Sequence, residues 1–461
     1  MTGAPRYGID TTMTPSPKRD PQSILATLLD AARKAGADAA DALHVEGVSS
    51  SVSYRLGKLE DVERAESYDL GLRVFVGQKV AFVSSTDFSA DALTALPGRA
   101  VAMARLAPED KFAGLAPKDR LAKAIPQLDL EDSTEPSAEL LIERARDAEA
   151  AALAVKGVTN SEGGGASFSR NAVTLATSTG FFGRYAGTSH SIGVAVLAGE
   201  GTGMERDYDH ASARHAGDLR GAEEIGRTAG EKAVKRLNPR SMKSQSVPVV
   251  FHSDEAAGLV GHFAGAISGA AIARGVSFLK DRMGQKVFAD GVQIIDDPHR
   301  VRGLRSKPFD GEGVANQRRA LIENGVLTTW LLDCASARQL GLETTGHAAR
   351  GTGGPPSPSS TNLYLAAGKL SVKELIADIR QGFYVTELMG MGVNGVTGDY
   401  SRGAAGFWIE NGEIAFPVSE VTIAGNLKDM FARLVPASDL EFRHGTNAPT
   451  VRIEGMTLAG A

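Results

Sequence analysis

The chain has 461 residues, 42% hydrophobic and 23% charged, the composition of an ordinary globular protein; its length predicts about three folding units. A net charge of −5 with no sustained basic patch excludes non-specific nucleic-acid binding, and no apolar run reaches the ~18 residues of a membrane span. One cysteine rules out intrachain disulfides and fits a reducing cytoplasm.

Residues 1–22 have no apolar h-region and read as a disordered tail, not a signal peptide. Ser23–Ala35 predicts an amphipathic helix with Ile24, Leu25, Leu28 and Leu29 inward. Five short strands follow, at 42–46, 51–56, 60–68, 71–76 and 78–84, separated by Gly57-Lys58, Asp69 and Gly77 as in an antiparallel meander. Ala90–Leu106 returns to helix, and a Pro- and charge-rich loop at 107–136 marks a boundary inside the N-terminal half. The order then recurs: a helix at 137–155, strands at 157–163, 166–178, 180–186 and 188–199, and a helix at 222–236. Helix, meander, helix appearing twice suggests a duplicated unit with each sheet covered on one face. The expected organisation is α+β, with an N-terminal α/β domain at 23–240 and a β-rich C-terminal domain at 241–461. Beyond Pro239 the pattern predicts a buried strand (247–251), a long helix, hairpins at Asn324-Gly325 and Asn411-Gly412, and a helix at 372–381. The segment 350–360, rich in Gly and Pro, predicts a surface loop. Many short strands from 383 to 458 suggest a curled, barrel-like antiparallel sheet around that long helix.

The long helix, 251–275, is the centre of the functional question. Ser253 or Asp254 suits its cap, and Leu259, Val260, Phe263, Ile267 and Ala271 form one apolar stripe. It carries His262. Two ligands of one zinc ion lie within about 4 Å of each other, each roughly 2 Å from the metal, so a helical site needs a second donor about one turn away. One turn back from His262 stand Ala257 and Gly258, and Glu255 is about 10 Å along the axis. Neither HExxH nor HExxxH occurs anywhere in the chain. The helix alone does not assemble a zinc site.

Other chemistry-bearing residues have plain structural alternatives. His252, Asp254 and Glu255 sit where a helix start needs caps. Cys334 lies between apolar residues, with His347 the only sequence neighbour to serve as a general base; burial as a small hydrophobe competes with a nucleophile role. Asp399, Ser401 and Arg402, framed by glycines, suit either a ligand-presenting turn or an internal Asp–Arg pair. Glu387 and Glu420 interrupt apolar strands and face either solvent or a polar cavity. The glycine clusters at 163–165 and 199–203 lack a P-loop or dinucleotide context, and no GxSxG elbow is present.

The strings VGHFAGAISG (260–269), SARQLGLETTGHA (336–348), PSPSSTNLYL (356–365), GDYSRGAAGFW (398–408) and VSEVTIAGNL (418–427) closely resemble the PmbA/TldE family, also called modulator of DNA gyrase. The resemblance implies a cytoplasmic metallopeptidase complex in which such a chain pairs with a TldD-type subunit and unfolded or extended peptides are cleaved. In the TldD-type subunit the corresponding helix carries HExxxH; here its first His falls on Ala257, its Glu on Gly258, and only the last His remains, as His262. The resemblance therefore implies no cofactor in this chain and zinc in the partner, with a homodimer when the partner is missing. His262, His347, Glu387, Asp399, Ser401, Arg402 and Glu420 are the candidates for a substrate or partner surface. Two other readings compete: a non-enzymatic adaptor acting on gyrase or an antitoxin, and a stand-alone cysteine hydrolase using Cys334 and His347.

Overall fold

A proline with an aspartate ahead of it starts the first helix, α1 (Pro21–Lys34): the Asp20 carboxylate accepts hydrogen bonds from the backbone N–H groups of Gln22 and Ser23. The computed structural model describes residues 20–460. The expected tail falls mostly on 1–19, outside that span; its last three residues belong to α1 and its cap.

The first four expected strands are merged into two long ones, β1 (Ala39–Arg55) and β2 (Lys58–Val76), while β3 (Lys79–Ser85) matches the short fifth. Pairing on both sides of β1 holds Gly47 and the serines at 49–51 extended, and Asp69 of β2 pairs with Val45, so the ladder overrides local turn propensity. The hairpin turns at Leu56-Gly57, with φ of 48° and 78°, a primed turn that matches strand twist. α2 (Ala90–Leu106) follows, capped by Ser89. The second round is α3 (Ala138–Leu153), β4 (Val158–Thr177), β5 (Phe182–Ala198), β6 (Glu205–Ala213) and α4 (Ala222–Lys235). β6 has no counterpart in the expected elements.

Both rounds share one six-stranded sheet of order β3-β2-β1-β4-β5-β6, joined by the antiparallel β1–β4 pair. Ala40, Ala42 and Val52 of β1 all face helices: the first two pack under α1 and α2, the third under α3 and α4. One face is thus covered by all four helices, as the duplicated pattern predicts. The packing is tight: a side chain at Gly226 of α4 would stand 2.0 Å from the Ala148 carbonyl of α3.

The opposite face receives the C-terminal domain. Its barrel strands are β7 (Gln245–Phe251), β14 (Gln381–Met389), β15 (Asp399–Glu410), β16 (Glu413–Asn426) and β19 (Val451–Ala459). β16 pairs with both β15 and β19, which closes the five strands into a ring. All pairs are antiparallel except β7–β14. A second sheet, ordered β10-β9-β8-β13-β18, is built from β8 (Ile294–Asp296), β9 (Arg319–Glu323), β10 (Val326–Leu327), β13 (Leu363–Leu365) and β18 (Thr446–Asn447). β11 (Ala348–Ala349) pairs with β12 (Ser357–Pro358), and β17 (Val435–Pro436) with β19. α7 (Cys334–Leu340), α8 (Val372–Ile376) and α9 (Leu427–Ala432) complete the domain. Both Asn-Gly hairpins form, with positive φ at Asn324, Gly325, Asn411 and Gly412.

The expected single helix at 251–275 is two: α5 (Ser253–Ala266) and α6 (Gly269–Ala273). Gly269 N–H turns to the Leu331 carbonyl (2.8 Å), so a bridge to another segment intercepts the helical ladder at Ile267-Ser268. The apolar face of α5, including Leu259, Val260 and Phe263, joins one core with Phe383, Trp408 and Phe431.

The two parts dock through solvent-excluded charge. Arg73 Nε donates to the Asp41 carboxylate (2.9 Å), Arg350 Nη1 to its other oxygen (2.6 Å), and Arg73 reaches Glu312. Arg350 opens the segment expected to be a surface loop, yet its side chain is 1% exposed. Thr352 lies directly over Gly71, where any side chain would meet its carbonyl at 2.5 Å.

Candidate functional site

The start of α5 is fixed by an imidazole. His252 is the N-cap: its Nδ1 accepts from the Asp254 N–H (3.3 Å), a role that requires a neutral ring, and burial pulls its pKa below the usual histidine value. Neither Ser253 nor Asp254 caps, as they lie inside the helix. The Asp254 carboxyl is held well below its ordinary range, first by the His444 imidazole, whose Nε2 stands 3.7 Å from it. A cleft of about 140 Å³ opens here, lined also by Asp439, Glu441 and Arg443.

Further along α5 the polar groups turn towards β15. His262 is half-buried and stands edge-on to the Tyr400 ring, centroids 6.2 Å apart. Burial lowers its pKa, and the Arg402 charge lowers it further. Glu255 behaves in the opposite sense: burial, then Asp254 and Glu387, push its carboxyl up to about 7, against the pull of Arg402. The Tyr400 hydroxyl is buried with no hydrogen-bond partner, and burial raises its pKa. Arg402 Nε donates to the Met389 carbonyl (3.0 Å).

The run 399–402 is divided by strand alternation. Asp399 and Ser401 are exposed, while Tyr400 is buried and Arg402 half-buried. Asp399 accepts from Thr397 Oγ1 (2.6 Å) and Asn426 Nδ2 (3.0 Å), so of the two alternatives the internal Asp–Arg pair does not form. Only Arg402 of the three polar candidates in this run joins the α5 cluster.

Glu387 forms an ion pair with Arg236, the C-cap of α4, which also reaches Asp207 (3.4 Å) and Glu205 (3.6 Å) on β6. The second round of elements, through α4 and β6, therefore supplies one wall of the cluster. Glu205 is raised by burial and then by Glu387, Asp207 and Glu420, with Arg236 opposing. Glu420 is exposed and adopts φ 54° at the β15–β16 irregularity, a conformation that costs a side chain energy.

Cys334 and His347 are kept apart in function. His347 is buried between Asp296 (3.2 Å) and Thr345 Oγ1 (2.8 Å). The Cys334 thiol is pushed up by burial and then by Glu312, which disfavours the thiolate. No hydrogen bond joins the two among the described residues.

Among the described residues no group of three or more His, Cys, Asp or Glu side chains is placed to hold a metal ion. Ala257 and Gly258 offer no donor beside His262, and space around Gly258 is open. Arg236, His444 and Tyr400 escaped the sequence reading of the site, whereas His252 was placed at the helix start and is its cap. Tyr400 was within reach, since it shares a strand face with Arg402; Arg236 and His444 arrive from remote elements with no local signal.

Comparison with known proteins gives three family matches, described as PmbA/TldA metallopeptidase domain 1 (residues 40–104), central domain (131–237) and C-terminal domain (244–460). The chain is 42% identical to Metalloprotease PmbA of Escherichia coli O157:H7, over 89% of this chain and 90% of that protein. It is 36% identical to a Metalloprotease PmbA homolog of Haemophilus influenzae, over 98% of each. A Bacteroides thetaiotaomicron structure bearing the name of a DNA gyrase modulator superposes with TM-score 0.88 at 26% identity, covering 95% and 99% of the two chains. TldE of Thermococcus kodakarensis shares the fold, with TM-score 0.83 at 20% identity over 94% and 99%.

Proposed function

The chain belongs to the PmbA/TldD family, and from that premise we propose that it is the subunit of a metallopeptidase complex that does not itself bind zinc. The observation that carries the reading is α5: a lone His262 with Ala257 and Gly258 where further donors would stand. This donor set does not fit a catalytic zinc ion, so no step of peptide cleavage is assigned to this chain. A TldD-type partner supplies the metal, and this chain helps enclose the chamber.

Its own groups hold substrate. The unpartnered Tyr400 hydroxyl and the free guanidinium nitrogens of Arg402 are donors for the carbonyls of an extended peptide. Glu255 and Glu387 accept from peptide N–H groups. Backbone recognition of this kind, with strand-edge pairing, gives loose sequence preference and rejects folded proteins. A cytoplasmic location accords with the single, buried cysteine.

The test is reconstitution. The purified chain is expected to retain no stoichiometric zinc by elemental analysis, to be inactive on casein alone, and to raise cleavage by a TldD-type partner. Partner activity unchanged by leaving this chain out would overturn the reading.

A further inference from the structure

Beside Phe309, where the uncovered sheet face meets the C-terminal domain, lies a cleft of about 400 Å³. Its walls are β4, β5, and the segments 305–307 and 359–360. Every charged group lining it is a cation: Arg214, Arg305 and Lys307.

Arg214 is the most telling. Its guanidinium donates to the carbonyls of Thr188 (3.0 Å), Gly303 (3.2 Å) and Leu304 (2.5 Å). These satisfy three of five N–H groups and supply no countercharge. Burial lowers its pKa and only Tyr185 opposes the shift; no carboxylate pairs with it among the described residues. A half-buried cation with no anion beside it carries a desolvation cost that no countercharge offsets.

Arg305 is exposed and forms no ion pair among the described residues, and its charge bears on Lys307. Lys307 Nζ donates to the Ala348 carbonyl (3.2 Å); burial lowers its pKa, and Asp310 and Asp296 offset part of the cost. Ser169, Ser189 and Ser360 add hydroxyls that make no side-chain hydrogen bond among the described residues. Like charges gathered in one cleft, with free donors between them, await an anion. A tetrahedral dianion with three peripheral oxygens uses this many donors, whereas a carboxylate offers two oxygens and one charge.

We propose that this cleft binds a phosphate dianion, held at its oxygens by Arg305 and the serine hydroxyls, with Arg214 and Lys307 supplying charge from the walls. The volume exceeds what orthophosphate needs, so the phosphate is either free or the head of a small phosphomonoester. The assignment is independent of the peptide-binding role of α5.

The experiment is calorimetric titration of the full chain at fixed ionic strength. The probes are orthophosphate, ribose 5-phosphate and the carboxylate dipeptide N-acetyl-Ala-Ala. Saturable one-site binding of either phosphate supports the proposal, and the tighter of the two identifies the source. Arg305→Ala should weaken it at least tenfold, while Arg99→Ala, the same charge loss at an exposed position of α2, leaves it unchanged. Arg305→Lys should fall between them, and circular dichroism verifies the fold of each variant. Absence of saturation by both phosphates, tighter binding of the dipeptide, or equal affinity in Arg305→Ala and Arg99→Ala would overturn it.

Discussion

Two charged clusters occupy the inside of this molecule, and they are built on opposite plans. In the docking cluster, Asp41, Arg73, Glu312 and Arg350 are all nearly inaccessible and the charges balance two against two. In the α5 cluster, Tyr400 has a buried hydroxyl with nothing to bond, Glu255 is half-buried beside other carboxylates, and Arg402 is only partly engaged. A closed network fixes geometry; an open one leaves bonding capacity for a ligand. The contrast separates a structural use of charge from a binding use within one chain.

The largest effect is expected in the closed cluster. Arg350→Ala strips Asp41 of one partner in a dry interface, and should cost about 3–5 kcal/mol in urea unfolding. The pH dependence has a definite sign. Asp41, held down by Arg73 and Arg350 against the burial that raises it, has a folded pKa below its usual 3.8. Its contribution is present above that value and fades as pH falls through the folded pKa.

Glu255 should give a smaller effect of opposite sign. Its folded pKa of about 7 lies above the ordinary 4.5, so the folded chain binds the extra proton between those values and stability falls as pH rises across them. Glu255→Gln is expected to flatten that slope and add about 1–3 kcal/mol at pH 8, read from thermal melts across pH 4–8. The smallest change sharpens the comparison most. Tyr400→Phe removes an unbonded hydroxyl and should alter stability by less than about 1 kcal/mol, while, under the proposed function, reducing the stimulation of casein cleavage by a TldD-type protein. A large loss of stability instead would place Tyr400 with the docking residues.

Much of the frame was legible from local pattern. Ala90–Leu106 has its bounds as read, and both Asn-Gly hairpins follow from the left-handed backbone that those residues tolerate. β6 was hidden because its buried Asp209 looks like a surface residue until Arg220 (2.9 Å) and Lys232 (3.4 Å) are brought to it. The break after Ala266 was hidden for a related reason, since a carbonyl 62 residues later in the chain, that of Leu331, captures Gly269. At the site, spacing on α5 was enough to single out His262, and period-two alternation could have set Tyr400 and Arg402 apart from Asp399 and Ser401. Nothing local announces Arg236 or His444, whose roles exist only after three units are assembled.

The seam between the repeated halves has a mechanical side. β1 and β4 are laced together from Asp41–Thr177 to Tyr54–Gly164, and the connecting stretch at 107–136 is pinned where Arg338 grips the carbonyls of Phe112, Gly114 and Leu115. Pulling one half away would have to unzip that whole ladder while tearing the connector from the barrel-bearing part. The two helix-and-strand units are thereby one continuous sheet, so a load on β3 at one edge reaches β6 at the other only through backbone hydrogen bonds.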